Sequence, residues 1–164
     1  MRVEDDTEAW QLRGKQVIKA EGIWYTQVSG IWQTVWLEQV PATHIQDVQI
    51  ATDADRGSIE LIADVANAQA GCAVRLTAFD GDKKVASIAA ACDATLSLEV
   101  PKAKLWSPAS PHLYDLKIDL LDAQGEVIES LKSYAGIRSA GKQQDAQGHW
   151  RFTLNGETIF HWGP

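Results

Sequence analysis

From Thr43 onward, short segments alternate apolar and polar residues with a period of two, which is the pattern of half-buried β-strands. Ile59 and Leu61, for example, alternate with Ser58 and Glu60. The same alternation, or a short apolar run, recurs along the chain at 45–50, 74–78, 85–88, 95–100, 114–120 and 127–134. About seven strands at this spacing predict an all-β fold, an immunoglobulin-like antiparallel β-sandwich.

Turn residues separate these segments, and no stretch has a helical period long enough to predict a helix. The breaks are rich in Asp, Gly, Asn and Pro and fall at 53–57, 67–71, 80–82, 101–111 and 122–125. Tyr114 follows the proline-rich break and is placed where a tyrosine corner would lie. Alternation alone predicts a core that includes Leu61, Leu76, Leu98, Leu116, Ile118 and Leu131.

The segment 22–41 precedes the predicted sandwich and contains three of the seven tryptophans. Within it, residues 31–37 predict a strand with Trp32, Thr34 and Trp36 on one face and apolar residues on the other. A strand that is apolar on both faces needs cover on both sides. Residues 1–21 are polar and irregular, so they cannot supply that cover.

The segment after the sandwich predicts two tight hairpins. The tetrapeptide Asp-Ala-Gln-Gly of residues 122–125 recurs at 145–148, where a type I turn followed by a left-handed glycine makes a bulged hairpin. An Asn155-Gly156 turn then predicts strands at 150–154 and 158–160. These strands carry Trp150, Phe152, Leu154, Phe160 and Trp162. The chain stops directly after this apolar hairpin, so we expect it to be a piece of a longer protein.

Composition narrows the range of partners. Of the 164 residues 45% are hydrophobic and 23% are charged, which is typical of a soluble globular chain with a packed core. The formal net charge of -7, with no basic cluster, argues against a nucleic-acid partner or an anionic membrane surface. No apolar run is long enough to span a bilayer and no targeting segment is visible, so the sequence leaves localisation open.

Cys72 and Cys92 are the two cysteines, too few for a disulfide scaffold and without a histidine at zinc spacing. Free cysteines are usually buried, so we expect two half-buried thiols. A bridge between neighbouring strands is the alternative.

The polar residues predict no catalytic, cofactor-binding or metal-ligating site. Aspartate is favoured at turns because its carboxylate accepts hydrogen bonds from nearby backbone N–H groups. This structural role explains the turn aspartates Asp53, Asp55, Asp80, Asp82, Asp122 and Asp145. Residues 53–57 begin like a calcium loop but lack the later ligands and the closing glutamate, which favours a β-turn. No pair at metal-ligand spacing occurs among His44, His112, His149 and His161.

Several motifs resemble the family-2 glycoside hydrolases, the group that includes β-galactosidases, β-glucuronidases and β-mannosidases. Residues 13–16 (RGKQ), 22–26 (GIWYT) and 29–41 (SGIWQTVWLEQVP) resemble the end of that family's sugar-binding jelly roll. Residues 105–116 (LWSPASPHLYDL) and 134–138 (YAGIR) resemble parts of the immunoglobulin-like second domain of that family. The entry to the catalytic (β/α)8 barrel is resembled by 150–164 (WRFTLNGETIFHWGP).

The resemblance implies three parts: a jelly-roll remnant over 1–41, the sandwich over 42–138, and a hairpin leading into an absent barrel over 139–164. It also implies that the two catalytic glutamates of the retaining mechanism lie on that barrel, beyond Pro164. We therefore expect a non-catalytic domain without cofactors that spaces and braces the barrel, and that hydrolyses no aryl β-glycoside by itself. The resemblance does not choose among the three glycoside specificities.

Two rival functions remain open, a free-standing carbohydrate-binding module and an adhesive immunoglobulin-like module. Trp32 and Trp36 would stack on sugar rings in the first, although burial in a core or between domains is the favoured interpretation. The expected partners are the adjoining jelly-roll and barrel domains, with carbohydrate bound only through the parent. Without those domains, 22–41 and 150–162 are expected to self-associate or to fold back within one chain.

Overall fold

The computed structural model describes residues 3–4 and 14–162 and divides the chain into two compact units, Met1–Gln39 and Val40–Pro164. Arg13, the first residue of the RGKQ motif, and Gly163 and Pro164, the last two residues of the motif at 150–164, lie outside the described residues. The described part contains no helix, and hence none that could span a membrane.

Among the described residues of the first unit, β1 (Gln16–Val17) and β2 (Tyr25–Thr26) form a pair of two-residue strands that run parallel. The prediction of a strand at residues 31–37 is wrong, because that segment has no strand partner and no regular structure. An apolar alternation fixes which side chains share a face, but a strand also needs a neighbour for its backbone hydrogen bonds.

The second unit begins with a β-sandwich of seven strands, as predicted. One sheet has the order β3-β4-β7 and contains His44–Asp53, Ser58–Ala66 and Leu96–Glu99. The other has the order β6-β5-β8-β9, where β5 is Ala73–Asp80, β6 Lys83–Ala91, β8 Tyr114–Leu121 and β9 Val127–Ala135. All strand pairs within these sheets are antiparallel, which confirms the predicted fold class.

The core lies between the two sheets and follows the predicted alternation. Five of the six predicted core side chains are buried, namely Leu61, Leu76, Leu98, Leu116 and Ile118. The sixth, Leu131, is partly buried because β9 is an edge strand, and it packs against the same cluster. The strand predicted weakly at 85–88 is longer than expected, because the alanine-rich β6 pairs along the whole length of β5.

A β-bulge in the β5–β6 hairpin determines the environment of the cysteines. Ala78 pairs with Ala86 but Phe79 pairs with Lys84, so Val85 is an additional residue in β6. Beyond the bulge each partner is displaced by one residue, and Cys72 faces Cys92, with 5.8 Å between their Cα atoms. The two form a disulfide, so the expectation of two separate thiols was wrong and the alternative of a cross-strand bridge is correct.

A third sheet follows the sandwich and has the order β10-β11-β12; we call it the terminal sheet. It contains Ala140–Gln144, Trp150–Leu154 and Glu157–Thr158. Both predicted hairpins are present. The repeated tetrapeptide adopts one geometry twice, with Gly125 at φ 85° and Gly148 at φ 81°. In each copy the backbone N–H of the glycine donates to the carbonyl of the aspartate, Asp122 or Asp145.

Candidate functional site: the junction between the sandwich and the terminal sheet

Three of the turn aspartates make the backbone hydrogen bonds predicted for them. A carboxylate oxygen of Asp53 accepts from the N–H groups of Asp55 and Arg56. Asp122 and Asp145 accept in the same way from the two residues that lie two and four positions further on. Backbone donation from Arg56 lowers the pKa of Asp53, and donation from His149 lowers the pKa of Asp145. The carboxylates of Asp53 and Asp145 therefore serve as ionised acceptors in their turns.

Asp80 instead joins a corner at the end of the sandwich. Its carboxylate receives a hydrogen bond of 2.6 Å from Lys104, which lowers the pKa of Asp80, and His112 Nε2 lies 3.5 Å from its other oxygen. The backbone N–H of Lys104 donates to the hydroxyl of buried Tyr114 at 2.8 Å. Tyr114 thus bonds to upstream backbone as a tyrosine corner does. Lys104 fixes the proline-rich segment twice, through its backbone N–H to Tyr114 and through its Nζ to Asp80.

The remaining histidines are dispersed over the molecule. His44 Nδ1 lies 3.0 Å from the carbonyl of Pro41, His149 Nδ1 lies 3.6 Å from Asp145, and His161 packs edge-on against Phe152. Within residues 3–4 and 14–162, no group of three or more His, Cys, Asp or Glu side chains could hold a metal ion.

Sequence reasoning missed one buried charge, Asp119 in the middle of β8. Its carboxylate is bound by Arg75 Nη2 at 2.7 Å, by Lys117 Nζ at 2.9 Å and by the hydroxyl of Ser130. Burial alone would raise the pKa of Asp119, but the hydrogen bonds from Ser130, Arg75 and Lys117 outweigh it and the pKa is lowered. Alternation had placed Asp119 on the solvent face; cross-strand register puts Arg75 and Ser130 directly opposite it and closes that face.

This cluster predicts a loss of stability in acid. Because the pKa of Asp119 is lowered in the folded chain, the ionised carboxylate stabilises the fold at pH values above 3.8, the ordinary pKa of an aspartate. This contribution is lost as the pH falls through the pKa that Asp119 has in the folded chain. We expect Asp119→Asn to cost about 1.5 kcal/mol of unfolding free energy at neutral pH and progressively less in acid. Urea titrations of both proteins from neutral pH to below pH ~3 measure this difference.

The control for this prediction is Asp115→Asn, since Asp115 is exposed on the same face of β8. The control variant should change unfolding free energy by no more than about 0.5 kcal/mol. A pH-independent difference between the wild-type chain and Asp119→Asn would contradict the assigned cause.

Trp32 and Trp36 are not buried in the structure. They are 86% and 70% exposed, and together with Ile31, Gln33 and Thr34 they border an open depression in the first unit. Burial in a core of this chain, one of the two forms of the favoured interpretation, is therefore not observed. Cover by another domain stays a prediction.

Asn155 connects the terminal sheet to the sandwich. Its Nδ2 donates to the carbonyl of Trp106 at 3.0 Å, and its Oδ1 accepts from the backbone N–H of Ser139 at 3.0 Å. Its own N–H donates to the carbonyl of Ser139 at 2.8 Å. The residue has φ 52°, as expected for the first central position of an Asn-Gly hairpin turn. One side chain thus bonds to two segments outside its own hairpin.

The two segments that Asn155 binds, around Trp106 and Ser139, are hydrogen-bonded to each other and to the sandwich. The N–H of Trp106 donates to the carbonyl of Ile137 at 2.8 Å, and Thr52 Oγ1 donates to the carbonyl of Arg138 at 3.2 Å. The guanidinium of Arg138 lies 4.9 Å from the centre of the Trp106 ring, in cation–π range. A Cβ at Gly136 would come within 3.1–3.2 Å of Trp106, so glycine permits this close approach. We use the term junction for the following residues together: Thr52, Trp106, Gly136, Ile137, Arg138, Ser139 and Asn155.

The terminal sheet beyond the junction has an exposed aromatic face. Trp150 and Phe152 lie on the same side of β11, and Lys142 Nζ is 5.0 Å from the centre of the Trp150 ring. Phe160 and Trp162 follow and are 86% and 93% exposed. Exposed aromatic side chains in this number are typical of a surface that contacts another domain or molecule.

Comparison with known proteins agrees with the family resemblance. The family described as Glycosyl hydrolases family 2 matches residues 43–138. A β-galactosidase of Aeromonas hydrophila is 33% identical over an alignment of 130 residues that covers 69% of this chain and 13% of that protein. A β-glucuronidase of Paenibacillus borealis is 30% identical over 135 residues, which are 82% of this chain and 22% of that protein.

A solved structure shows the same fold. The β-D-glucuronidase of Dictyoglomus thermophilum superposes with a TM-score of 0.57 at 25% identity, over 75% of this chain and 19% of that one. The chain therefore spans about a fifth or less of the length of these relatives.

Proposed function

Because the chain belongs to glycosyl hydrolases family 2, we propose that it is a non-catalytic β-sandwich of a retaining glycoside hydrolase, which spaces and braces the catalytic barrel against the sugar-binding domain. In this proposal residues 1–41 end the sugar-binding domain, 42–138 are the spacer, and 139–164 lead into the barrel. The two catalytic carboxylates belong to the barrel. Carbohydrate is bound only through the parent protein.

The junction is the observation that carries this proposal. A brace must hold the next element in one orientation, because a displacement of about 1 Å at a distant support can cost on the order of a hundredfold in turnover. One hydrogen bond, from Asn155 Nδ2 to the carbonyl of Trp106, fixes the terminal sheet to the sandwich, and two bonds between Asn155 and Ser139 extend the β10–β11 pairing up to that point. The aromatic face of that sheet is the surface that the barrel would cover.

A chimera tests the bracing role. Residues 43–162 would replace the matching segment of the Paenibacillus borealis β-glucuronidase, and we expect turnover of an aryl β-glucuronide to survive. Introducing Asn155→Ala into the chimera should then lower kcat by about ten- to a hundredfold, since the junction loses its side-chain bonds. Gln147→Ala, in an exposed turn, is the matched control and should leave kcat unchanged.

The isolated chain should hydrolyse no nitrophenyl glycoside, whatever the sugar. Turnover by the purified chain that one Asp or Glu substitution abolishes would refute the non-catalytic assignment. A folded, active chimera that is indifferent to Asn155→Ala would refute the bracing role.

The exposure of Trp32 and Trp36 favours a second candidate, a carbohydrate-binding module. In that case soluble oligosaccharides should quench or shift the tryptophan fluorescence of the isolated chain, and Trp32→Ala should abolish the response. The bracing proposal predicts no such response.

A further inference from the structure

The Asn155-Gly156 turn combines a chemically labile dipeptide with a structural role. An asparagine followed by glycine is prone to cyclise, because no side chain on the glycine hinders its backbone nitrogen. Gly156 N attacks Asn155 Cγ, the Cγ–Nδ2 bond breaks and ammonia leaves. Water then opens the resulting imide to aspartate or isoaspartate. The step needs no reactant other than water.

The junction opposes this reaction in the folded chain. Both amide atoms of Asn155 bind other segments, Nδ2 the carbonyl of Trp106 and Oδ1 the N–H of Ser139. Cγ can therefore reach Gly156 N only after the side chain leaves both partners. Loss of the bond to Trp106 also removes the side-chain hydrogen bond that ties the terminal sheet to the sandwich, so opening and modification share one conformational step.

Modification would also prevent the junction from closing again. Nδ2 donates to the carbonyl of Trp106 over 3.0 Å, and deamidation replaces this donor by a carboxylate oxygen. Two acceptors would then face each other in a half-buried place, which is unfavourable. The isoaspartate product, in addition, lengthens the backbone within a two-residue hairpin turn.

We propose that Asn155 is a deamidation site that the junction holds in check, and that its modification makes detachment of the terminal sheet irreversible. The chain provides its own comparison in Asn67, its other asparagine. Asn67 also has φ 52° and also donates from Nδ2 to a backbone carbonyl, that of Ala42 at 2.8 Å, but alanine follows it.

Peptide mapping by mass spectrometry tests the first half of the proposal. The chain is incubated at mildly alkaline pH, folded and in urea, and aspartate and isoaspartate are quantified at both asparagines. We expect Asn155 to react at least about tenfold more slowly in the folded chain, which corresponds to ~1.4 kcal/mol of local stability, and faster than Asn67 in urea. Equal rates at Asn155 in both conditions, or faster reaction at Asn67 in urea, would overturn it.

The second half is tested with Asn155→Asp, which reproduces the aspartate product. Amide hydrogen exchange should rise by at least about tenfold in β10–β12, while β8 keeps its protection. Asn155→Gln controls for loss of geometry without charge, and should raise the exchange of β10–β12 less. Unchanged exchange in β10–β12 of Asn155→Asp would show that deamidation does not release the terminal sheet.

Discussion

Replacement of both Cys72 and Cys92 by alanine is expected to lower the free energy of unfolding by about 3 kcal/mol. The disulfide joins residues 20 positions apart and closes the β5–β6 hairpin at the end opposite its turn. Without it the unfolded chain gains the freedom of that loop, while β6 keeps only one hydrogen-bonded neighbour, β5. Urea denaturation monitored by circular dichroism measures the change.

Two comparisons keep this result interpretable. The wild-type chain under reducing conditions should fall close to the double alanine variant, because both lack the covalent bond. Each single alanine variant should also be destabilised, since one partner alone cannot form the bridge. A double variant as stable as the oxidised wild-type chain would show that the disulfide does not contribute to stability.

Ile118→Ala is expected to lower the free energy of unfolding by about 2–5 kcal/mol, because it removes a fully buried side chain from the centre of the core. Ile118 pairs with Leu76 on one side and Leu131 on the other, so its truncation leaves a cavity beneath three strands. Thermal and urea unfolding both measure the loss.

The matched control is Ile62→Ala. Ile62 is 49% exposed on the outer side of β4, and the same truncation there should cost about 0.5 kcal/mol or less. Equal costs at the two positions would mean that the alternation does not separate core from surface in this sandwich.

The core could be predicted from the sequence, whereas the disulfide could not. Alternation identifies Ile118 as core, because a period of two fixes the face of every residue within one strand. The structure places Ile62, the neighbour of buried Leu61, on the outer face of β4. The disulfide depends on register between strands, which a single bulge at Val85 shifts by one residue. No local pattern in the alanine-rich β6 indicated that bulge.

The site shows the same division. The Asn155-Gly156 turn was predictable, since this dipeptide is the strongest hairpin signal, but its bonds to Trp106 and Ser139 join residues up to 49 positions apart. Asp119 was missed because it alternates like a surface residue, and its burial arises from side chains on the two neighbouring strands. The strand expected at 31–37 failed for want of a partner.

The first and last strands of the sandwich lie side by side, and this has a mechanical consequence. The N–H of Ile45 donates to Glu129 near the start of both strands, and Thr52, near the end of β3, bonds to Arg138, three residues after β9 ends, so β3 and β9 run in the same direction. Tension applied between Ile45 and Arg138 therefore pulls the two strands past each other along their length. Contacts strained in shear share the force and rupture together, whereas contacts peeled apart break singly, so the sandwich should resist stretching along this axis better than across it.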